Sequence, residues 1–122
     1  MSLTVYDYFQ AALRRRPAEP SGEPGPVVRG ADGNLASFRL AARDGRVVAA
    51  AYRASTCVTL VALCEHIREL ATGRSLDELE RMTAADLRAL HPEIPAVRAD
   101  RADLAIRALR FAVESVKTGE KE

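Results

Sequence analysis

Both cysteines of the chain and one of its two histidines lie in the stretch YRASTCVTLVALCEHIREL, residues 52–70. Cys57, Cys64 and His66 are confined to ten residues of it. Thiolates and imidazoles are ligands that zinc and related transition metals prefer. The stretch therefore raises the hypothesis of a metal or redox centre, against the alternative of a buried helix that uses cysteine as a small apolar residue.

The spacing predicts that these three side chains do not share one site. After Cys57 the apolar residues recur at helical intervals, and seven residues of helix rise about 10.5 Å along the axis. Cys57 and Cys64 are then too far apart for a disulfide, which needs Cα atoms within about 7 Å. Cys64 is predicted to be buried as a small apolar residue. His66 falls on the far side of the helix, and we interpret it and His91 as surface or helix-capping residues.

Cys57 differs from Cys64 because it stands at the predicted junction between a strand and a helix. A helix N-terminus carries partial positive charge, which lowers the pKa of a thiol. Position alone leaves a functional and a purely structural role for Cys57 equally open. The chain contains no CxxC, HExxH, P-loop, GxGxxG or GxSxG motif, so the sequence offers none of the common signatures of metal, nucleotide or hydrolase sites.

Length and composition favour one globular domain over residues 1–122. The chain is 48% hydrophobic and 29% charged, and its formal net charge is +1, which argues against nucleic acid as a partner. The basic run LRRRP, residues 13–17, is interpreted as the solvated end of a helix. No apolar run approaches the about 18 residues that span a bilayer, and the N-terminus lacks the apolar core of a signal peptide. We therefore expect a cytoplasmic protein without a membrane partner, with reduced thiols.

The first half of the chain reads as a helix, a loop and a hairpin. Thr4 is the expected N-cap of the helix TVYDYFQAALRRR, with Asp7 three residues later. Four prolines and two glycines in residues 17–26 predict a loop. Alternating apolar residues on both sides of the Asp44-Gly45 pair predict a β-hairpin, and residues 26–30, PVVRG, predict an edge strand.

The second half reads as a series of helices. The helix after Cys57 is expected to end before Gly73, and the segments SLDE and TAADLRAL open two short helices at residues 75 and 83. Asp100 is the expected N-cap of the last helix, and residues 118–122 are expected to fray. The predicted class is α+β, with a small antiparallel sheet of about three strands and helices packed on one face.

Several segments, in this order, resemble the IscU/NifU N-terminal family of iron–sulfur cluster assembly scaffolds. VYDYFQ resembles the first helix of the family, GADGNLASFRL its glycine-rich ligand loop, and YRASTC the strand before its second ligand cysteine. GRSLDEL is similar to the family segment GKSLDE, IPAVR to LPPVK, and LAIRALRFAV to the alanine-rich last helix. The resemblance covers most of the chain and implies the IscU/NifU α+β fold.

Carried over residue by residue, the resemblance implies a degenerate metal site. Cys57 falls on the second ligand cysteine, whereas the loop cysteine falls on Asn34 and the aspartate two residues later on Ala36. The family's histidine-cysteine pair falls on Asp100 and Arg101. An iron–sulfur cluster or zinc, which the family binds, needs about four ligands, and Cys57 with Asp100 supplies two at most.

The resemblance also implies functions and partners. It implies a non-enzymatic protein associated with iron–sulfur cluster assembly that lacks the three-cysteine site, with a cysteine desulfurase, a chaperone and recipient apoproteins as partners. The family arrangement places Arg101 near Cys57. Two alternatives stay open: an adaptor without metal chemistry, and a sulfur carrier or thiol enzyme that uses Cys57. The family segment similar to IPAVR binds a chaperone, which implies a partner-binding role for five residues: Ile94, Pro95, Ala96, Val97 and Arg98.

Overall fold

The computed structural model describes residues 3–15 and 23–120, and these form an α+β fold. Two long helices, α2 and α5, cover one face of an antiparallel sheet, and α1 packs on α2. The predicted class is confirmed. The elements are α1 (Val5–Arg14), β1 (Glu23–Pro24), β2 (Val28–Arg29), β3 (Leu35–Arg43), β4 (Arg46–Ala54), α2 (Val58–Ala71), α3 (Leu76–Arg81), α4 (Ala84–Leu90), a 3-10 helix (Ala96–Arg98) and α5 (Asp100–Glu120).

Three helices begin at reciprocal capping boxes. At α1 the Thr4 hydroxyl accepts from the Asp7 backbone N–H, and the Asp7 carboxylate accepts from the Thr4 backbone N–H. The same exchange opens α3 at Ser75 and α4 at Thr83. Each cap is worth about 1 kcal/mol, so local sequence fixes where these helices begin. No helix in the described part of the chain is long and apolar enough to cross a membrane.

The sheet has four strands, and two of them, β1 and β2, lie one after the other along the same edge of β3. Strand β3 is central and pairs along its length with β4 across a turn at Asp44 and Gly45, both with positive φ. On the other edge of β3, β1 and β2 pair one after the other. The predicted hairpin and edge strand are therefore confirmed.

The loop predicted for residues 17–26 is wrong at its end, and residues 17–22 lie outside the described part of the chain. Glu23–Pro24 pairs with β3, and the Gly25 N–H donates to the Phe38 carbonyl at 2.9 Å. An edge strand tolerates proline because one side of it needs no N–H donor. Gly25 also fits closely: an added Cβ would lie 2.7 Å from the Phe38 carbonyl oxygen and 3.1 Å from Ala112 Cα.

Gly25→Ala is expected to lower the free energy of unfolding by about 1–3 kcal/mol, because the new methyl group can be placed only by shifting backbone. The measurement is urea denaturation at neutral pH. Gly119→Ala is the matched control, since nothing lies within 4 Å of its added Cβ. It should be neutral or slightly stabilising. Equal stability of the Gly25→Ala variant and the parent would contradict the close fit.

The core lies between the sheet and helices α2 and α5. Cys64 is fully buried there, as predicted, and burial raises the pKa of its thiol. Its fully buried neighbours in the core cluster include Phe38 and Leu40 of β3, Leu60, Leu63 and Ile67 of α2, and Leu109 and Val113 of α5.

The predicted surface location of the two histidines is wrong, although His91 is the C-cap residue of α4 and its backbone N–H donates to the Arg88 carbonyl. His66 is 9% exposed and His91 1% exposed, and their ring atoms Nδ1 and Nε2 lie 2.7 Å apart in a hydrogen bond. The Tyr8 ring stacks on His66 with centroids 4.2 Å apart. Helix α1 covers this side of α2, so a residue on the far side of α2 from Cys57 is buried.

Two predicted boundaries of the last helix also change. Asp100 is the first residue of α5 and not its N-cap. The helix continues through residues 118–120, which were expected to fray, while residues 121–122 lie outside the described chain. Lys117 ties this end of α5 to α3, since its Nζ lies 2.6 Å from Asp77 Oδ1 and 2.9 Å from Glu80 Oε2.

Candidate functional site

Cys57 lies between the end of β4 and the start of α2. Its backbone N–H donates to the Ser55 carbonyl at 2.7 Å, and its carbonyl accepts from Val61 N–H in the first turn of α2. The side chain is half-buried and makes no capping hydrogen bond to the backbone. The thiol is therefore held at a helix N-terminus and remains partly accessible.

The pKa of Cys57 is lowered below its ordinary value. Partial burial of the thiol acts in the opposite direction, but it is outweighed by the Leu60 backbone N–H, by the Arg101 guanidinium and by the Thr59 N–H. Helix N–H groups and a cation both favour the thiolate over the thiol. Because the thiolate is the nucleophilic form, Cys57 has the environment of a reactive cysteine.

Arg101 projects from the first turn of α5 and is 12% exposed. Its Nη1 donates to Asp100 Oδ1 at 2.7 Å and to Asp32 Oδ2 at 2.9 Å. Its Nε is buried and finds no hydrogen-bond acceptor among the described residues. The carboxylate of Asp100, followed by the Cys57 thiol, raises the pKa of Arg101. Arg101 is thus a fixed cation beside the thiol.

Asn34 is tied into the structure through Ser55. The Ser55 hydroxyl donates to Asn34 Oδ1 at 2.9 Å and accepts from the Leu35 backbone N–H at 3.0 Å. The loop before β3 is closed by Gly30 N–H, which donates to the Asn34 carbonyl at 2.7 Å. The amide oxygen of Asn34 therefore helps to join the start of β3 to the segment that leads into Cys57.

Ala36 lies in β3 with 1% of its surface exposed, opposite Val28 and Ala54. Its methyl group belongs to the hydrophobic core. A metal ligand at this position would need an oxygen, nitrogen or sulfur donor, and alanine has none. Ala36 is therefore a core residue, at a position where the resemblance implies a metal ligand.

A shallow cleft of about 170 Å³ opens beside this arrangement. Three positions singled out from the sequence, Asn34, Asp100 and Arg101, meet in its lining. Cys57 is not part of the lining and connects to the cleft through Arg101. The other lining residues are Gly30, Ala31, Asp103, Leu104 and Arg107.

The donor set at this site does not fit a metal ion or a cluster. Among the described residues no three His, Cys, Asp or Glu side chains are grouped so that they could hold a metal. The Asp100 carboxylate is engaged by Arg101, and a guanidinium repels a cation. One thiol beside a cation is suited to thiolate chemistry and not to metal binding.

The segment predicted to bind partners lies between α4 and α5. Ile94 is half-buried against the core, whereas Pro95 to Arg98 are exposed, and Val97 is 78% exposed. Residues Ala96–Arg98 form the 3-10 helix. An exposed apolar side chain on a short, defined element is compatible with the predicted partner-binding role, which stays a prediction.

No protein-family model and no curated protein sequence matches this chain. Among solved structures, the chain is similar to a nitrogen-fixing NifU-like protein (N-terminal) from Brucella abortus, with a TM-score of 0.70. The two are 19% identical, and the match covers 93% of this chain and 92% of the other. At this identity the likeness establishes the fold, so the NifU-like fold implied by the sequence resemblance is confirmed.

Proposed function

We propose that this chain is a NifU-like protein that takes part in iron–sulfur cluster assembly without holding a cluster at the three-cysteine site of the family. The fold match over 93% of the chain supports the first half of the proposal. One observation carries the second half: the Arg101 guanidinium lies beside Cys57, at a position where the resemblance places a ligand cysteine.

A cluster is the cargo of such a scaffold, and the residues present do not suit it. Iron–sulfur clusters are held by four ligands, most of them thiolates. Here Cys57 is the one thiol at the site, since Cys64 is fully buried in the core. We therefore derive no step in which the cluster is bound by this chain.

The environment of Cys57 favours the transfer of sulfane sulfur as its role in assembly. The Cys57 thiolate attacks the outer sulfur of a persulfide on a donor cysteine desulfurase. A sulfur–sulfur bond forms at Cys57 Sγ, the bond to the donor cysteine breaks, and the donor leaves as a thiolate. The proton stays on the transferred sulfur, and no net oxidation or reduction takes place. Arg101 and the N-terminus of α2 stabilise the attacking thiolate.

The proposed partners are a cysteine desulfurase as sulfur donor, and a chaperone and recipient apoproteins downstream. The exposed residues 95–98 are the proposed contact for a chaperone, because Val97 offers a largely exposed apolar side chain on a short, defined helix. The half-buried Cys57 is reachable by an extended loop or a cysteine side chain of a donor. In this role the protein acts in the cytoplasm.

The test is anaerobic incubation with ferrous iron, cysteine and a cysteine desulfurase, followed by assays of bound iron, acid-labile sulfide and intact mass. We expect substoichiometric iron and sulfide, and a mass gain of one sulfur atom on Cys57 that a thiol reductant removes. Cys57→Ser should lose this gain. Cys64→Ala is the matched control, because it removes the buried thiol and should keep the gain.

Each other result would overturn a defined part of the proposal. Iron and sulfide in the amount of one cluster per chain, or one per two chains, and lost in Cys57→Ser, would show that a cluster is held. A protein that gains neither metal nor sulfur would be an adaptor without thiol chemistry. A mass gain that persists in Cys57→Ser would place the acceptor elsewhere.

A further inference from the structure

The face of the sheet that points away from the helices is basic. In β3 the inward residues Ala36, Phe38 and Leu40 are buried against the core, and the residues between them point outward. Residues paired across antiparallel strands share a face. The outer sheet face is therefore defined by Arg29, Leu35, Ser37, Arg39, Ala41, Arg43, Arg46, Ala49, Ala51 and Arg53. Arg46 donates to the Gly73 carbonyl, whereas the other four arginines make no such contact among the described residues.

The register spreads the arginines of this face over all three strand positions. Arg29 of β2 pairs with Leu35, Arg53 of β4 pairs with Ser37, and Arg39 stands on the central strand opposite Ala51. Arg43 follows at the hairpin end. Arg39 and Arg43 are therefore about 13.6 Å apart along β3, with Arg29 and Arg53 on the strands to either side.

These four arginines are not used inside the described structure. None of Arg29, Arg39, Arg43 and Arg53 belongs to an ion pair among the described residues, whereas Arg15, Arg68, Arg74, Arg88 and Arg101 each do. No acidic residue with a described side chain occupies an outward register position of this face. With a net charge of only +1 for the whole chain, four arginines on one face without an ion-pair partner in the described part of the chain are a marked local excess.

Apart from Leu35, the uncharged residues of the face have small side chains. Ser37, Ala41, Ala49 and Ala51 lie between the arginines and are half-buried. A sheet face with short side chains leaves room for another element to pack on it. The arginines are placed to form forked hydrogen bonds with carboxylates on that element.

We propose that the outer sheet face docks an acidic α-helix of a partner protein. On a helix, carboxylates at positions i and i+4 lie about 6 Å apart, which suits the diagonal pair Arg53 and Arg39 on neighbouring strands. Arg43 lies four residues beyond Arg39 on β3, about 13.6 Å along the strand. A carboxylate eight residues further along the helix, about 12 Å away, can meet it. The proposed docking surface is separate from the Cys57 site, because none of its arginines belongs to that site.

Single-stranded nucleic acid fits this face less well than an acidic helix. Proteins that bind single strands combine cations with aromatic rings on which the bases stack. The aromatic residues of the two long strands, Phe38 and Tyr52, pair with each other on the inner face. The outer face offers cations without a stacking platform, which suits carboxylates better than bases.

The probe is a helical peptide with glutamate at every fourth position, compared with the same peptide carrying glutamine there. We expect the glutamate peptide to bind and to shift backbone NMR signals of Ser37, Arg39, Ala41, Ala51 and Arg53. The double variant Arg39→Gln/Arg53→Gln should bind about tenfold more weakly. The matched control Arg14→Gln/Arg81→Gln, with the same loss of charge on exposed helical positions, should change affinity by less than about twofold.

The proposal is overturned by equal weakening in both double variants, which would show unspecific attraction, or by shifts confined to another surface. Equal binding of the two peptides would overturn it as well. Tighter binding of a single-stranded oligothymidylate than of the glutamate peptide would replace the acidic helix with nucleic acid. Far-ultraviolet circular dichroism establishes that each variant is folded. Arg39→Lys/Arg53→Lys, which keeps the charge but not the forked donor pair, should weaken binding less than the glutamine pair does.

Discussion

Arg101→Gln is expected to slow the alkylation of Cys57 by iodoacetamide at neutral pH by about fivefold. The variant removes the cation that lowers the pKa of the thiol. Two unit charges about 4 Å apart interact by about 1 kcal/mol even in bulk water, and this corresponds to a factor of about five in the thiolate fraction. The pH–rate profile should move to higher pH. The measurement is the rate of Cys57 modification across pH, followed by peptide mass spectrometry.

Asp32→Asn is the matched control for this experiment. It removes a carboxylate that binds Arg101 Nη1 at 2.9 Å but leaves the guanidinium beside the thiol, so the rate should stay at the parent value or rise. Cys64 does not interfere, because it is fully buried. A profile of Arg101→Gln that coincides with the parent would contradict the coupling and leave the N–H groups of α2 as the source of the lowered pKa.

The parts of the fold that the sequence predicts correctly are those encoded by neighbouring residues. The capping boxes at Thr4 and Ser75 each need only four consecutive residues, and both form as expected. The Asp44-Gly45 turn needs two residues that tolerate positive φ, and both adopt it. Such signals act before any tertiary contact exists, so they can be read from a single sequence.

The buried polar residues of α2 are what sequence reasoning missed. Glu65 is 3% exposed; its carboxylate accepts from Arg15 and Arg68 and from the Tyr52 hydroxyl at 2.8 Å. Arg15 is the C-cap residue of α1 and Tyr52 lies in β4, and no local pattern reveals that they converge. Helical periodicity assigns one buried stripe to α2, whereas α1 and the sheet bury two sides of it.

The candidate site is an intermediate case. Its positions are far apart in sequence, and no spacing rule connects Cys57 with Arg101. The family resemblance predicted that Arg101 lies near Cys57, and in the structure the two side chains interact. The resemblance did not reveal the role of Asn34, which binds the Ser55 hydroxyl. That contact depends on the register of β3 with β4 and is visible only in three dimensions.

Acidification from pH 6.5 towards pH 4 is expected to lower the free energy of unfolding by about 2 kcal/mol through His66. Burial, followed by the neighbouring His91, lowers the pKa of His66 from 6.5 to about 4. In the unfolded chain His66 titrates at its ordinary value and takes up a proton first. The stabilisation is therefore complete above about pH 6.5 and decreases as the pH falls to about 4. Urea titrations at successive pH values measure the slope.

His66→Gln separates this effect from acid unfolding in general, because glutamine can still hydrogen bond to His91 but does not titrate. The variant should be less stable at pH 7 and should lose most of the slope above pH 4.5. Glu65 acts below that range: burial opposes its ionisation, but Arg15 and Arg68 lower its pKa below the ordinary 4.5. Its stabilisation is thus present above pH 4.5 and decreases at lower pH. Equal slopes for parent and variant between pH 6.5 and 4.5 would contradict a neutral, buried His66.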